Sequence, residues 1–405
     1  MTSSMKKRIT QIRHGQVPKG HMKTVFGVVP DAWHKSRIDE ICRLSSGSTP
    51  RRDNAGNFNG NILWVTSGEL KAKFVHDTKE KVSQLATKES RLELYEPGTV
   101  VVAIYGLEAI GIRGTASIIE KRCTISQACM AFSGFRGVDN EFFYYWYLHN
   151  GPLIGIRFAQ GTKQQNLSSE IIGSLPICFP PLAEQRKIAK ILAFQDRVIE
   201  LKEKRLAEKQ RQKKYLAKQM FSGMKCVVPL SELALITMGQ SPSSETYNTS
   251  FNGVPLIQGN ADISNRKTFP RMYTTSPTKI CSPGDILISV RAPVGTVARS
   301  TISACIGRGI CSIRPKRMSD YIYEYLLYYE DKWGRVSQGS TFESISGDDI
   351  GKLSIPQHHE SDQVAKMLTF AGKEIDLLSQ DIEQEKRKKK ALMQLLLTGI
   401  VRVNV

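Results

Sequence analysis

The stretch FPPLAEQRKIAKIL (residues 179–192) decides how the rest of the chain is read. Pro180 and Pro181 stop whatever precedes them, because proline lacks the backbone N–H that continued pairing needs. The segment after them is highly charged and has no glycine or proline until Gly223. The spacing predicts one helix of roughly 40 residues, far longer than the average helix of a globular domain. Such an element in mid-chain is a spacer between two bodies.

The totals bound those bodies. The 405 residues suffice for two or three domains, and 40% hydrophobic residues allow sizeable cores. No apolar run approaches the roughly 18 residues of a membrane span. The basic, polar segment 1–24 has no apolar stretch of a secretory signal and reads as a poorly ordered arm. The eight cysteines are scattered without a Cys-x2-Cys pair, against both a disulfide scaffold and a zinc site. No cofactor is called for, and a reducing cytoplasm is the expected compartment. A net charge of +19 points to a polyanion, nucleic acid before membrane surface.

The chain repeats itself. Ser46-Gly47-Ser48-Thr49-Pro50 is echoed by Met238-Gly239-Gln240-Ser241-Pro242, an offset of 192 (46 to 238). Phe58-Asn59-Gly60 matches Phe251-Asn252-Gly253. Pro97-Gly98 before an apolar strand matches Pro283-Gly284. Cys123-x5-Cys129 matches Cys305-x5-Cys311. Gln160-Gly161-Thr162 matches Gln338-Gly339-Ser340, an offset of 178 (160 to 338). Matches in constant order with a shrinking offset indicate a duplicated domain that lost loop residues in its second copy. Residues i and i+6 on a strand share a face, so the cysteines read as core. Each copy predicts a mixed α/β (α+β) domain with an aromatic helix, Phe142–Leu148 and Tyr321–Leu327. Asp139-Asn140 and Ser319-Asp320 are the expected N-caps. The aromatics suit core packing better than base stacking.

A long helix follows each copy. At alternating spacings of four and three, the first presents Ile188, Leu192, Gln195, Ile199, Lys202, Leu206, Lys209, Lys213, Leu216 and Met220. The second presents Val364, Leu368, Ala371, Ile375, Leu378, Ile382, Glu385, Lys389, Leu392 and Leu396. This is heptad periodicity. Neither stripe buries itself, so the helices are expected to pair antiparallel, with Gly223 and Gly399 at their C-caps. The expected boundaries are a basic arm (1–24), a first domain (25–180), a first spacer helix (181–223), a second domain (224–357) and a second spacer helix (358–405).

This order resembles a known family, the specificity subunits of type I restriction–modification enzymes. The resemblance rests on SGSTPRRD (46–53), FNGNILWVTSGEL (58–70), the junction QGTKQQNLSSEIIGSLPICFPPLAEQRKIAKIL (160–192) and the ending LLLTGIVRV (395–403), and it covers nearly all of the chain after about residue 25. Its most specific element is Pro180-Pro181-Leu182-Ala183-Glu184-Gln185; the second junction keeps only Pro356 and Gln363. The resemblance implies two target-recognition domains on double-stranded DNA, each reading half of a split site. It also implies an antiparallel coiled coil, two docked modification (methyltransferase) subunits, restriction (motor-nuclease) subunits joined through them, and no catalysis by this chain. The residues agree on the last point, since no phosphate-binding G-x4-G-K-[ST] loop and no Asn/Asp-Pro-Pro-aromatic motif occurs. Two other readings compete: a self-sufficient DNA enzyme with an unrecognised site, and a coiled-coil organiser without DNA.

Base reading needs polar and cationic side chains on loops. Candidates in the first copy are Ser46, Ser48, Thr49, Arg51, Arg52, Tyr105, Arg113, Gln160, Thr162, Lys163 and Gln164. Those in the second are Ser241, Ser243, Arg291, Arg308, Gln338, Ser340 and Thr341. The basic face of the first helix (Arg205, Lys209, Arg211, Lys213, Lys214) is either a DNA-facing stripe, a solvated face or a docking surface.

Overall fold

Strand Pro176–Phe179 ends at the paired prolines, and the helix Leu182–Phe221 starts at once, its first turn closed by Gln185 N donating to Pro181 O (3.1 Å). The second long helix is Ser361–Leu397. In the computed structural model the described residues are 3–109, 111–161, 165–222, 226–333 and 344–403. The chain forms two compact units, Met1–Leu201 with Ile382–Val405, and Lys202–Asp381. The division falls inside both long helices.

In the first unit a five-stranded sheet runs in the order Arg43–Ser46, Cys129–Ser133, Val100–Ala103, Ala116–Ile119, Phe74–Val75. Its neighbours are antiparallel except the last pair. The Val-rich strand Val100–Ala103 is buried along its whole length, as expected of a central strand covered on both faces. A smaller sheet places Ile62–Val65 between Cys123–Ile125, in parallel, and Lys81–Val82. The helix Asn140–Phe158 packs on strands Val100–Ala103 and Ala116–Ile119. Asp139 caps it, accepting from Phe142 N (3.0 Å), and residues 142–147 are all buried. The aromatic run is therefore core.

The second unit repeats this plan. Ala234–Met238, Ile310–Pro315, Ile286–Ser289, Val297–Arg299 and Lys267–Thr268 follow in the same order and directions, extended by Ile263–Ser264. Val254–Ile257 lies between parallel Ala304–Ile306 and antiparallel Met272–Thr274. The duplication is thus a repeat of strand order and direction.

Three details differ from expectation. Cys123 and Cys129 lie on different strands, and the register aligns Cys123 with Ala304 rather than Cys305. Ile125 sits opposite Val65 as Ile306 sits opposite Ile257, so the cysteine match is a slip of one residue. All four cysteines are buried. Second, the helix Ser319–Tyr329 is capped by Met318 in a left-handed conformation (φ 54°), while Asp320 lies inside the first turn and pairs with Arg299 (2.5 Å). Third, the described part of the segment expected as a poorly ordered arm, residues 3–24, has regular structure. It carries the helix Ser3–Arg13 and the strand His21–Thr24, which pairs with Gly27–Pro30 across the expected boundary. Arg8 Nη1 donates to Ile400 O (3.2 Å), a partner supplied by the far end of the chain.

The long helices pair antiparallel. In the first unit Gln195 Nε2 donates to Glu385 (2.7 Å) and Lys389 pairs with Asp196 (2.5 Å), beside buried Ile188, Leu192, Ile199 and Ile382. In the second, Lys202 pairs with Asp381 (2.8 Å) and Lys209 with Glu374 (2.9 Å). There Val364 and Leu368 are buried, while Leu206, Leu216, Ile375 and Leu378 are half-buried. The polar interruptions of the first stripe are thus cross-helix pairs. Lys213 reaches instead to the buried Glu324 of the aromatic helix (2.8 Å). Gly399 follows the second helix at φ +67°, as a C-cap glycine should; Gly223 lies outside the described residues.

The junction motif has a structural explanation. Gln185 is fully buried; its side chain accepts from Asp139 N (2.8 Å) and donates to Gly137 O (3.0 Å) and Pro180 O (2.8 Å). Buried Glu184 takes both arms of Arg402 (2.7 and 2.6 Å). The junction and the ending LLLTGIVRV therefore meet in one contact. Gln363 at the second junction is exposed.

Candidate nucleic-acid interface

Five backbone segments converge at one end of the main sheet in each unit, stitched by the same hydrogen bonds. In the first unit Gly47 N donates to Cys129 O (3.1 Å), Ser48 N to Ile125 O (3.2 Å), Ile104 N to Ala128 O (2.9 Å), Ser126 N to Val65 O (2.8 Å) and Leu167 N to Ile104 O (2.9 Å). In the second Gly239 N donates to Ile310 O, Gln240 N to Ile306 O, Val290 N to Gly309 O and Gly307 N to Ile257 O (each 2.9 Å), and Ile345 N to Val290 O (3.2 Å). Five bonds for five make the two sheet ends equivalent residue by residue. The repeated loop glycine is required by this approach. A Cβ at Gly47 would lie 2.2 Å from Ile125 O, and one at Gly239 2.2 Å from Gly307 O.

The candidates separate at this end. In the second unit Arg291 follows the strand Ile286–Ser289 and Arg308 lies on the neighbouring turn, so the two are adjacent across the ladder. Ser241 joins them, its Oγ accepting from Arg308 N (3.1 Å). Both guanidinium groups are exposed, and neither has a partner among the described residues. Four other arginines of this unit contrast with them. Arg266 is held by Glu330 (2.5 Å), Arg271 by Asp262 (2.8 Å), Arg299 by Asp320 (2.5 Å) and Arg314 by Asp285 (2.8 Å). Burial works against the Asp285 carboxylate, but bonds from Arg314, Ser282 N and Ser312 outweigh it and hold its pKa below the ordinary 3.8. That carboxylate is fully engaged. Ser243 is exposed, its carbonyl accepting from Thr246 N (3.1 Å).

In the first unit Ser46 and Ser48 are exposed, Thr49 is half-buried, and Arg51 is exposed. Arg52 is committed: it forks onto Glu80 (2.5 and 2.9 Å) over the Phe58 ring (4.4 Å), and that bond lowers the Glu80 pKa. Arg113 is also committed, donating to Gln165 Oε1 (2.8 Å) at the base of the late loop, where Gln160 and Asn166 exchange two backbone bonds (2.9 Å each). Tyr105 is exposed at the place equivalent to Arg291. Thr162, Lys163, Gln164, Gln338, Ser340 and Thr341 lie outside the described residues.

Sequence reasoning missed Gln127. It is exposed on the turn equivalent to that of Arg308, because Ala128 matches Gly309 in the shared bonds. The one-residue cysteine slip concealed it by setting Ser126 opposite Arg308; aligning Ile125 with Ile306 would have found it. The basic face of the first long helix is largely neutralised. Lys209 and Lys213 are paired as above, and Lys214 meets Asp331 (2.6 Å), leaving Arg205 and Arg211 exposed.

The model of the type I restriction modification DNA specificity domain matches the chain twice, at residues 30–209 and 222–385. A putative type I restriction enzyme MjaX specificity subunit of Methanocaldococcus jannaschii is 34% identical over 269 residues, which span 60% of this chain and 63% of that relative. The MjaVIII specificity subunit of the same organism is 22% identical over 95% of this chain and 96% of its own. Among solved structures, a chain from a study of complex assembly and conformational transition of the type I R-M system superposes with a TM-score of 0.62 at 22% identity, covering 92% of this chain and 99% of that one. The S subunit of a type I restriction–modification system from M. genitalium gives 0.56 at 17% identity, covering 92% and 97%. These two likenesses show the fold.

Proposed function

The chain belongs to the type I restriction modification DNA specificity family, and we propose that its two tandem target-recognition domains each read one half of a bipartite, asymmetric DNA site. The observation that carries this reading is the pair of equivalent sheet ends with different side chains, Arg291 and Arg308 in one unit and Tyr105 and Gln127 in the other. Two copies of one reader with unlike contact residues suit two unlike half-sites. The net charge of +19 supplies attraction for phosphate.

Catalysis falls to partner subunits. The long helices support the docking of two modification subunits, through which restriction subunits join. Phe194 and Leu201 on the first helix, and Phe370 and Leu377 at the same heptad places on the second, are at least half exposed. Two copies of one partner need two equal surfaces, and a repeated Phe-x6-Leu pair provides them. Eight free cysteines, seven of them buried, suit a reducing cytoplasm. No described helix is long and apolar enough to cross a membrane.

The purified chain is expected to bind duplex DNA with a steep salt dependence, about −0.9 in log K against log salt for each phosphate neutralised. It should neither methylate nor cut DNA alone. A nearly flat salt slope, or turnover by the isolated chain, would overturn this reading.

A further inference from the structure

We propose that the turn carrying Gln127 in the first unit and Arg308 in the second is a base-reading position, and that this one difference makes adenine preferred in one half-site where guanine is preferred in the other. The inference rests on the DNA-reading function above and deepens it to a named residue pair.

The backbone holds both turns in the same way. Ser126 N to Val65 O and Gly307 N to Ile257 O tie the start of each turn to the smaller sheet. Cys129 N to Ser126 O (2.9 Å) and Ile310 N to Gly307 O (3.0 Å) close it, and Ile104 N to Ala128 O and Val290 N to Gly309 O tie its far side to the main sheet. The turn is thus held from both sheets, and a single exposed side chain stands on it. Positioning of this kind is what base reading demands, because a bidentate contact tolerates little displacement.

The side chains have the required freedom. Gln127 and Arg308 are exposed, and neither has a side-chain partner among the described residues. Their neighbours are otherwise engaged: Ser241 Oγ accepts from Arg308 N (3.1 Å), and Trp64 Nε1 donates to Ser48 O (3.2 Å). The chemistry of the pair then differs in a defined way. A glutamine amide offers one donor and one acceptor, matching N7 and the N6 amino group of adenine. A guanidinium offers two parallel donors, matching O6 and N7 of guanine. Each half-reader therefore carries the same mount with a different head.

Reciprocal substitution tests this. A randomised duplex library is selected with the full chain, and the selected sequences are compared with those taken by Gln127→Arg, Arg308→Gln and Gln127→Ala. Gln127→Arg should convert one adenine of one half-site to guanine, with a preference of roughly 5- to 150-fold, and leave the other half unchanged. Arg308→Gln should do the reverse in the other half. Gln127→Ala should relax that position alone, and it decides the matter if the arginine variant fails to fold, which thermal melting would reveal. A wild-type motif retained by all three variants overturns the inference while the DNA-reading function stands. Equal degradation of both halves also overturns it. A wild-type chain that selects no sequence overturns the DNA-reading function itself.

Discussion

Glu184 and Gln185 are neighbours on one helical turn, yet each is held by a different part of the chain. Gln185 satisfies three backbone groups from the approach to the aromatic helix and from the proline junction, and Glu184 grips Arg402. Removing a buried side chain that pairs three backbone groups leaves them unsatisfied. Gln185→Ala is therefore expected to destabilise the chain by about 2–4 kcal/mol. Gln363→Ala, at the exposed second junction, should fall within about 0.5 kcal/mol of wild type. Urea unfolding of the full chain measures both, and equal midpoints would show that the junction amide is no staple. The arginines divide by the same criterion of internal partners. Arg52, Arg113, Arg266, Arg271, Arg299 and Arg314 are spent on internal acceptors, and Arg291 and Arg308 are not.

At the scale of elements, each long helix carries two kinds of stripe. The seam alternates apolar layers with cross-helix polar pairs such as Gln195–Glu385 and Lys209–Glu374. Polar seam contacts specify register at some cost in stability, and here they match each position to one partner. The outer stripe of Phe194 and Leu201, repeated as Phe370 and Leu377, is at least half exposed at all four positions. Phe194→Asp is expected to remove one of two bound modification subunits and Phe370→Asp the other, with both lost in the double variant. Native mass spectrometry of the reconstituted complex counts them. Retention of both subunits by the double variant would place docking elsewhere.

At the scale of the whole molecule, a chain with two readers and two long helices should measure distance as well as sequence. Adding seven residues to each long helix keeps the heptad seam in phase and lengthens each by about 10 Å, near three base pairs of unread spacer. Adding four to each lengthens them by about 6 Å but breaks the phase and should be tolerated less well. The half-site sequences should stay as they were, since no contact loop is altered. The methylated motif of each lengthened variant, made with its modification subunit, reports the result. An unchanged spacer with full activity would show that the helices do not set the spacing.

Much of this architecture is written in local signals. The paired prolines, the heptads and the echo of short motifs are properties of neighbouring residues. Helix length, antiparallel pairing and duplication are therefore legible in the chain alone. Composition likewise marks the aromatic helices as core, because a run of large rings following a helix cap is best satisfied by packing. Other features depend on partners far apart in sequence. The N-terminal helix meets Ile400, Arg402 meets Glu184, and Lys213 meets Glu324. No local pattern announces such pairs. The equivalence of Gln127 with Arg308 is of the same kind. Chemical similarity drew the cysteines into register, whereas the backbone ladder, blind to side chains, placed Cys123 opposite no cysteine at all. The sequence by itself determined that the molecule has two related domains and two pairing helices. Only the tertiary structure decided which cations are left without an internal partner, because an arginine becomes a strut only where an acceptor from elsewhere in the fold reaches it.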